Sequence, residues 1–132
     1  MFHFSKEVDY TFQLTIALAK LDSGEYLSLR KFSQESNISF LFLQKIARSL
    51  RKSGIIGSLR GAHGGYFLKR KPENITLKEI IEIIDGPSGV VGCLRKGGFC
   101  PNKNTCTARN VFKYVNNKFI NSISEKKLAE FI

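Results

Sequence analysis

The chain has 132 residues, 42% of them hydrophobic, and a formal net charge of +10 at pH 7. This size suits one domain with a real core and is short for a two-domain enzyme. No apolar run reaches the roughly 18 residues that a membrane span needs, and the N-terminus lacks the layout of a signal peptide. We therefore expect a cytoplasmic protein that does not bind membranes.

The positive charge is concentrated in one segment. Residues 30–71 carry ten basic side chains and a single acid, Glu35, so about a third of the chain holds +9 of the +10. Such a concentration is typical of a surface that binds phosphates. A solvated surface that only aids solubility is the alternative explanation.

Apolar residues at helical spacing predict a first helix over residues 5–21. Phe12, Ile16 and Ala19 form one stripe, which neighbouring Leu and Ala residues widen into a mostly buried face. Acidic residues in the first turn, Glu7 and Asp9, suit the positive end of the helix dipole. The Asp-Ser-Gly sequence that follows ends the helix.

Two short helices separated by a three-residue turn come next. Ser28 can cap a helix that reaches Glu35, and Ser39 can cap a third helix that ends near Ser53. The third helix is apolar on one face and polar and basic on the others, which is the pattern of a helix-turn-helix whose second helix enters the DNA major groove. The residues that we expect at the DNA are Ser39, Gln44, Lys45, Arg48, Arg51 and Lys52.

The following segment predicts a β-hairpin. Two short apolar strands, residues 55–60 and 66–69, flank a glycine-rich turn. A thin hairpin with basic residues at both ends has the composition of a wing, which can enter the DNA minor groove. The wing residues that we expect at the DNA are Arg60, Gly61, His63, Gly64 and Gly65; a lone loop histidine such as His63 is also explained by simple exposure.

The C-terminal third predicts two more helices around a loop. Thr76 and Glu79 form a capping box for a helix that ends at Asp85, and residues 108–121 again place apolar side chains at helical spacing. A last cap is expected at Ser122 and Glu125, with Leu128, Phe131 and Ile132 covering the core. The helix over residues 108–121 has little left to pack against in its own chain, so we expect it to form a homodimer that matches a palindromic DNA site.

All three cysteines lie in one loop rich in glycine: Cys93, Cys100 and Cys106. In a reducing compartment an odd number of cysteines argues for metal binding or thiol chemistry over a disulfide framework. Zinc is disfavoured because no C-x-x-C pair is present. An electron carrier would not need the basic segment, and an enzyme is disfavoured because no nucleophile and base have a recognisable context.

Over essentially its whole length the chain resembles the Rrf family of bacterial winged-helix regulators, which includes the iron–sulfur cluster regulator and the nitric-oxide-sensing repressor. The segments that carry the resemblance are residues 4–6 with Asp9-Tyr10, residues 38–54, Arg60-Gly61, residues 64–66 and the three-cysteine loop. The fold class that follows is mostly α with a small β-hairpin wing, a winged helix-turn-helix plus a C-terminal dimerisation helix. We expect residues 1–86 to form the DNA-binding domain, 87–107 the cluster-binding cysteine loop, and 108–132 the dimerisation helix and C-terminal segment.

The resemblance also implies site residues. Arg60 would read the minor groove and Gln44 would touch base edges, while Leu41 and Phe42 stand where relatives often carry polar groups. Base readout in the major groove would then be sparse, and basic residues would supply much of the affinity.

An iron–sulfur cluster, 2Fe-2S or 4Fe-4S, is the cofactor that the resemblance implies for the three cysteines. In the cluster-biogenesis regulator the fourth ligand is a histidine three residues after the last cysteine, but here that position is Arg109. Asp9 matches the acidic ligand that the nitric oxide sensor takes from the partner subunit, and Glu7 and His3 are the next candidates.

The expected function is that of a sequence-specific DNA-binding transcriptional regulator, a repressor, without enzymatic activity or a small-molecule substrate. Its partners would be a second copy of the chain and double-stranded operator DNA. Operator binding would be controlled by the cluster, which senses nitric oxide, redox state or iron–sulfur status. The alternative is a cluster-free member of the family that is switched by cysteine oxidation or by a partner protein.

Overall fold

The computed structural model describes residues 3–132. Within them the chain is mostly helical with one small antiparallel hairpin, which confirms the predicted fold class. None of the helices in this part of the chain is long and apolar enough to cross a membrane. The elements are α1 Lys6–Ala19, α2 Leu29–Ser36, α3 Phe40–Lys52, β1 Ile56–Leu59, β2 Gly65–Leu68, α4 Leu77–Asp85 and α5 Arg109–Glu125, with 3-10 turns at Pro72–Asn74, Gly92–Leu94 and Leu128–Phe131.

Three of the predicted helix starts, those of α2, α3 and α4, are confirmed by a local hydrogen bond. The hydroxyls of Ser28, Ser39 and Thr76 accept from the backbone amides three residues further on, and Glu79 completes the capping box of α4. Asn37 ends α2 in the left-handed region at φ 59°, where the short side chain of asparagine is tolerated.

The buried face of α1 differs from the predicted stripe. Its fully buried positions include two threonines, Thr11 and Thr15, whereas Phe12 and Ile16 are only partly buried. Burial of a hydroxyl is tolerated here because the Thr11 side chain donates to the Glu7 carbonyl at 2.6 Å and that of Thr15 to the Thr11 carbonyl at 2.9 Å. Apolar spacing alone therefore predicted the helix correctly and its buried face incompletely.

The main core joins the N-terminal helices to the hairpin. Leu14 of α1, Leu43 and Leu50 of α3 and Ile56 of β1 are essentially inaccessible to solvent. A smaller cluster connects α1, α4 and α5. Together they hold α3 against the rest of the chain by one face and leave its other faces open.

The C-terminal segment returns to the main core. Leu128 is fully buried, as predicted, and its amide donates to the Ile75 carbonyl at 2.8 Å. Two expectations for this segment were wrong. Helix α5 continues past Ser122 through Glu125, and Phe131 and Ile132 are half exposed, so Leu128 alone of these three apolar residues is buried. The three-part division of the chain by function stays a prediction.

Candidate nucleic-acid interface and cysteine loop

Helix α3 has one buried face and a polar outer surface. Leu43, Ile46, Ala47 and Leu50 point into the core. The guanidinium of Arg30 in α2 lies 4.4 Å from the centre of the Phe40 ring, which ties the two helices together at the start of α3. The side chains predicted for DNA contact are all exposed, and Leu41 is exposed beside them; the predicted residues are Ser39, Gln44, Lys45, Arg48, Arg51 and Lys52.

The basic residues around α3 differ in how far they are engaged. Lys45 forms an ion pair with Glu7 of α1, with Nζ 3.0 Å from Oε1. Arg48 forms no ion pair with the described residues, and its side chain is exposed. Arg48 is thus available to bind a phosphate, whereas Lys45 must break its ion pair with Glu7 before it can bind a phosphate.

The wing is fastened to the body of the protein by a contact that the sequence analysis missed. Beyond the β1–β2 pairing, Leu27 bridges to Tyr66, with N–O distances of 2.9 and 2.8 Å in the two directions. An apolar residue just before the Ser28 cap was the available signal. The bridge adds a third strand-like segment and fixes the angle at which the hairpin leaves the core.

Glycine is required at two positions of the wing because a neighbouring segment of backbone lies too close to leave room for a side chain. A Cβ on Gly64 would lie 2.1 Å from the Leu59 carbonyl oxygen, and one on Gly65 would lie 2.5 Å from that of Leu27. Gly61 adopts φ +121°, which side chains rarely allow. The structure thus gives these glycines a conformational role. Arg60, Gly61 and His63 are exposed at the tip of the hairpin.

Arg70, counted with the phosphate-binding segment, is engaged inside the protein. Its guanidinium donates to both carboxylate oxygens of Glu79, at 2.8 and 3.4 Å, and to the Asn74 carbonyl. The hydrogen bond from Arg70 holds the pKa of Glu79 below its ordinary value of 4.5, although partial burial opposes it. This arginine joins the base of the wing to α4. Its charge is paired, so binding of phosphates would depend on the other basic residues of the segment.

The cysteine loop is tied to the end of α4 by Arg95. Its Nε donates to the Pro87 carbonyl at 2.6 Å and its Nη2 to the Asp85 carbonyl at 3.1 Å. Within the loop, the Gly98 amide donates to the Arg95 carbonyl at 2.8 Å. No sequence signature predicts an arginine that binds distant backbone carbonyls, so this fastening was missed.

The three cysteines are free thiols: Cys93 and Cys100 are half-buried and Cys106 is exposed. Successive local turns separate them along the loop, such as the bond of 2.9 Å from the Cys106 amide to the Asn102 carbonyl. Across residues 3–132, no three His, Cys, Asp or Glu side chains come close enough to bind a metal ion. Thiolate chemistry suits an iron–sulfur cluster, but the arrangement of these donors in the single chain does not fit one.

The candidates for a fourth ligand lie on or before α1. Asp9 is exposed, and its carboxylate accepts a hydrogen bond of 3.0 Å from the Gln13 side chain. Glu7 is engaged by Lys45. Among the described residues, neither these acids nor His3 form a group of three metal-binding side chains with the cysteines.

Helix α5 exposes an apolar face. Its C-terminal half packs on the core through Ile123, while Val111, Tyr114 and Val115 are 62%, 66% and 45% exposed. Large apolar side chains grouped on one exposed helix face are typical of a protein–protein contact.

The chain was compared with known proteins. A family model described as "Rrf2: Iron-dependent Transcriptional regulator" matches residues 4–132. An HTH-type transcriptional regulator of Rhodobacter capsulatus, named as rrf2-like, is 32% identical over 102 residues, which are 74% of this chain and 68% of the relative.

Two solved structures share the fold. CymR, the global cysteine regulator of B. subtilis, superimposes with a TM-score of 0.85 at 26% identity, covering 99% of this chain and 96% of that one. IscR of T. potens superimposes with a TM-score of 0.78 at 25% identity, covering 98% and 85%. The chain therefore belongs to the Rrf2 family of DNA-binding transcriptional regulators, and its role is not enzymatic.

Proposed function

We propose that the protein is a cytoplasmic, homodimeric repressor that binds a palindromic operator. The observation that carries the proposal is the exposed basic surface of α3 beside a glycine-tipped wing. Helix α3 would enter the major groove and the wing the minor groove. Residues 1–86 would bind DNA, residues 87–107 would form the sensory loop, and residues 108–132 would include the dimer contact.

The individual contacts follow from side-chain chemistry. Gln44 can pair with two edge atoms of adenine, and Ser39 lies at the end of α3 that approaches the bases. Arg48, Arg51 and Lys52 would bind phosphates. In the wing, Arg60 would enter the minor groove. The residues beside the sugar-phosphate backbone of the DNA would be Gly61, His63, Gly64 and Gly65.

Salt-dependent binding tests the DNA interface. The probe is a duplex that the wild-type protein selects from a random-sequence library. Replacing Arg48 by Gln should weaken binding to that duplex and to mixed-sequence DNA alike, and should lower the slope of log affinity against log salt by roughly 0.9 per subunit bound. Lys113→Gln removes the same charge from exposed α5 and should leave the slope unchanged. Equal slopes for both variants would contradict the proposed interface.

Control of operator binding by an iron–sulfur cluster on the three cysteines is part of the proposal. It is supported by the family description as iron-dependent and by the three thiols within one short loop. Against it stands their separation in the single chain, so the loop would have to change its arrangement. Anaerobic purification with iron counting and visible absorbance tests it: brown protein with iron in every subunit supports the cluster.

Asp9 of the partner subunit is the proposed fourth ligand. Anaerobic Asp9→Ala should change the visible spectrum of the cluster, whereas Asp22→Ala, which removes an exposed acid in the turn after α1, should not. An unchanged spectrum for Asp9→Ala would exclude the assignment.

Thiol chemistry without iron is the second candidate, and the observation that favours it is three free cysteines, one of them exposed. Colourless, iron-free protein that binds the selected duplex when reduced, and loses it on mild oxidation, would support a thiol switch. A partner protein remains the third route, and it would be indicated if neither iron nor oxidation changes DNA binding.

A further inference from the structure

A series of polar contacts runs within one subunit from the cysteine loop to α3. Arg95 donates to the carbonyl of Asp85, the last residue of α4, at 3.1 Å, and to the Pro87 carbonyl just beyond it at 2.6 Å. Gly89 lies directly against the stem of this side chain, since a Cβ on Gly89 would lie 2.6 Å from the Arg95 Cγ. The position of the cysteine loop is therefore coupled to the backbone around Asp85.

The next contact joins α4 to α1. The Ser5 hydroxyl lies 3.1 and 3.3 Å from the two carboxylate oxygens of Asp85 and donates to that group. The same hydroxyl caps α1 by accepting from the Val8 amide at 3.2 Å. One side chain thus fixes both the first turn of α1 and its position against α4.

The last contact reaches the DNA-facing surface. Glu7 lies in that first turn of α1, and its carboxylate pairs with Lys45 of α3 at 3.0 Å. Glu7 is the less exposed partner, with 35% of its side chain accessible against 65% for Lys45. The helix cap therefore positions the less exposed Glu7 carboxylate beside the more exposed Lys45 ammonium.

We propose that these contacts, from Arg95 through Asp85, Ser5 and Glu7 to Lys45, let the cysteine loop set DNA affinity by controlling whether Glu7 retains Lys45. The inference rests on the proposed DNA-binding function and adds a route of regulation to it. When Arg95 holds α4, Glu7 competes with phosphate for Lys45. When the loop shifts and Arg95 releases the carbonyls, the Ser5 cap loosens and Lys45 becomes available to DNA.

A double-mutant cycle tests the route. Affinity for the duplex selected by the wild-type protein is measured for the wild type, Glu7→Gln, Arg95→Gln and the double variant, all purified anaerobically with the same iron content. Ion pairs between exposed side chains change equilibrium constants by roughly two- to fivefold, so Glu7→Gln should tighten binding by about that factor per subunit. Arg95→Gln should tighten it similarly, and the double variant should bind no more tightly than either single one.

Lys96→Gln is the matched control. Lys96 follows Arg95, is exposed, and makes no hydrogen bond or ion pair with the described residues, so its replacement removes the same charge without releasing α4. Asp85→Asn probes the middle of the route and guards against a local folding defect at Arg95. It weakens the acceptor for Ser5 and should tighten binding only when Glu7 is present.

The outcomes separate this inference from the function on which it rests. Two results would overturn the coupling while leaving DNA binding intact. In the first, Arg95→Gln tightens DNA binding by the same factor whether or not Glu7 is replaced. In the second, Arg95→Gln changes the affinity no more than Lys96→Gln does. Failure of the wild-type protein to select any duplex would instead overturn the proposed function. Loss of the Arg95 and Asp85 effects when Glu7 is absent would support the coupling.

Discussion

The guanidinium of Arg70 binds Glu79 through two hydrogen bonds, 2.8 and 3.4 Å long, across the junction between the wing and α4. Glu79 also accepts from the Thr76 amide at 3.1 Å as part of the capping box. One carboxylate thus serves the helix start and the wing base together, which makes it a point where the stability of the fold depends on pH.

Replacing Glu79 by Gln should destabilise the protein at neutral pH and make no difference in acid. Gln keeps an oxygen for the Thr76 amide but loses the ion pair with Arg70. Because the pKa of Glu79 is lowered on folding, the stabilisation is present above the ordinary value of 4.5 and is lost as the pH falls through the lowered pKa. Both side chains are partly exposed, so the loss at neutral pH should not exceed about 1 kcal/mol.

Urea unfolding of the wild type and of Glu79→Gln, from neutral pH to acid pH, measures the difference in their free energies of unfolding. A gap between the two proteins that stays constant from neutral to acid pH would show that the carboxylate charge has no role.

Truncation of two leucines of α3 should change the free energy of unfolding by very different amounts. Leu43 is fully buried and Leu41 is 77% exposed. Leu43→Ala should cost about 2–5 kcal/mol of unfolding free energy because it leaves a cavity, whereas Leu41→Ala should stay within about 0.5 kcal/mol. Chemical denaturation of both variants makes the comparison, and similar losses would mean that α3 does not present these faces as described.

Gly64→Ala should displace the wing. The added Cβ would meet the Leu59 carbonyl at 2.1 Å, so the hairpin must open, at a cost of about 1–3 kcal/mol, and affinity for the selected duplex should fall. Gly92→Ala is the control because a Cβ there meets nothing within 4 Å. Thermal unfolding and DNA titration of both variants test this, and equal behaviour would contradict the close approach in the wing.

Val111→Lys should separate a homodimer into monomers. Val111 lies on the exposed apolar face of α5, and a charge buried in a dimer contact is costly unless it is paired. Sedimentation velocity should show a shift to the monomer mass, with weaker binding to a palindromic duplex. Asn117→Lys, at another exposed position of α5, should leave the association unchanged. If both variants keep the wild-type mass, α5 is not the dimer contact.

The sequence predicted most of the secondary structure because its signals are local. The caps Ser28, Ser39 and Thr76 act on amides three residues away, and the glycines of the wing turn lie between two apolar strands. Helical periodicity likewise predicted the buried face of α3. It failed for Thr11 and Thr15 because a hydroxyl that bonds back to its own helix can be buried without any signal in the apolar pattern.

The candidate site divides in the same way. Composition and spacing alone identified the basic segment, the polar face of α3, the wing and the three-cysteine loop. Only the tertiary structure decided which of these groups are engaged: Arg70 with Glu79, Lys45 with Glu7, and Arg95 with the end of α4. These partners lie 9 to 38 positions apart in the chain, and packing, which brings such groups together, leaves no pattern in the sequence around either partner.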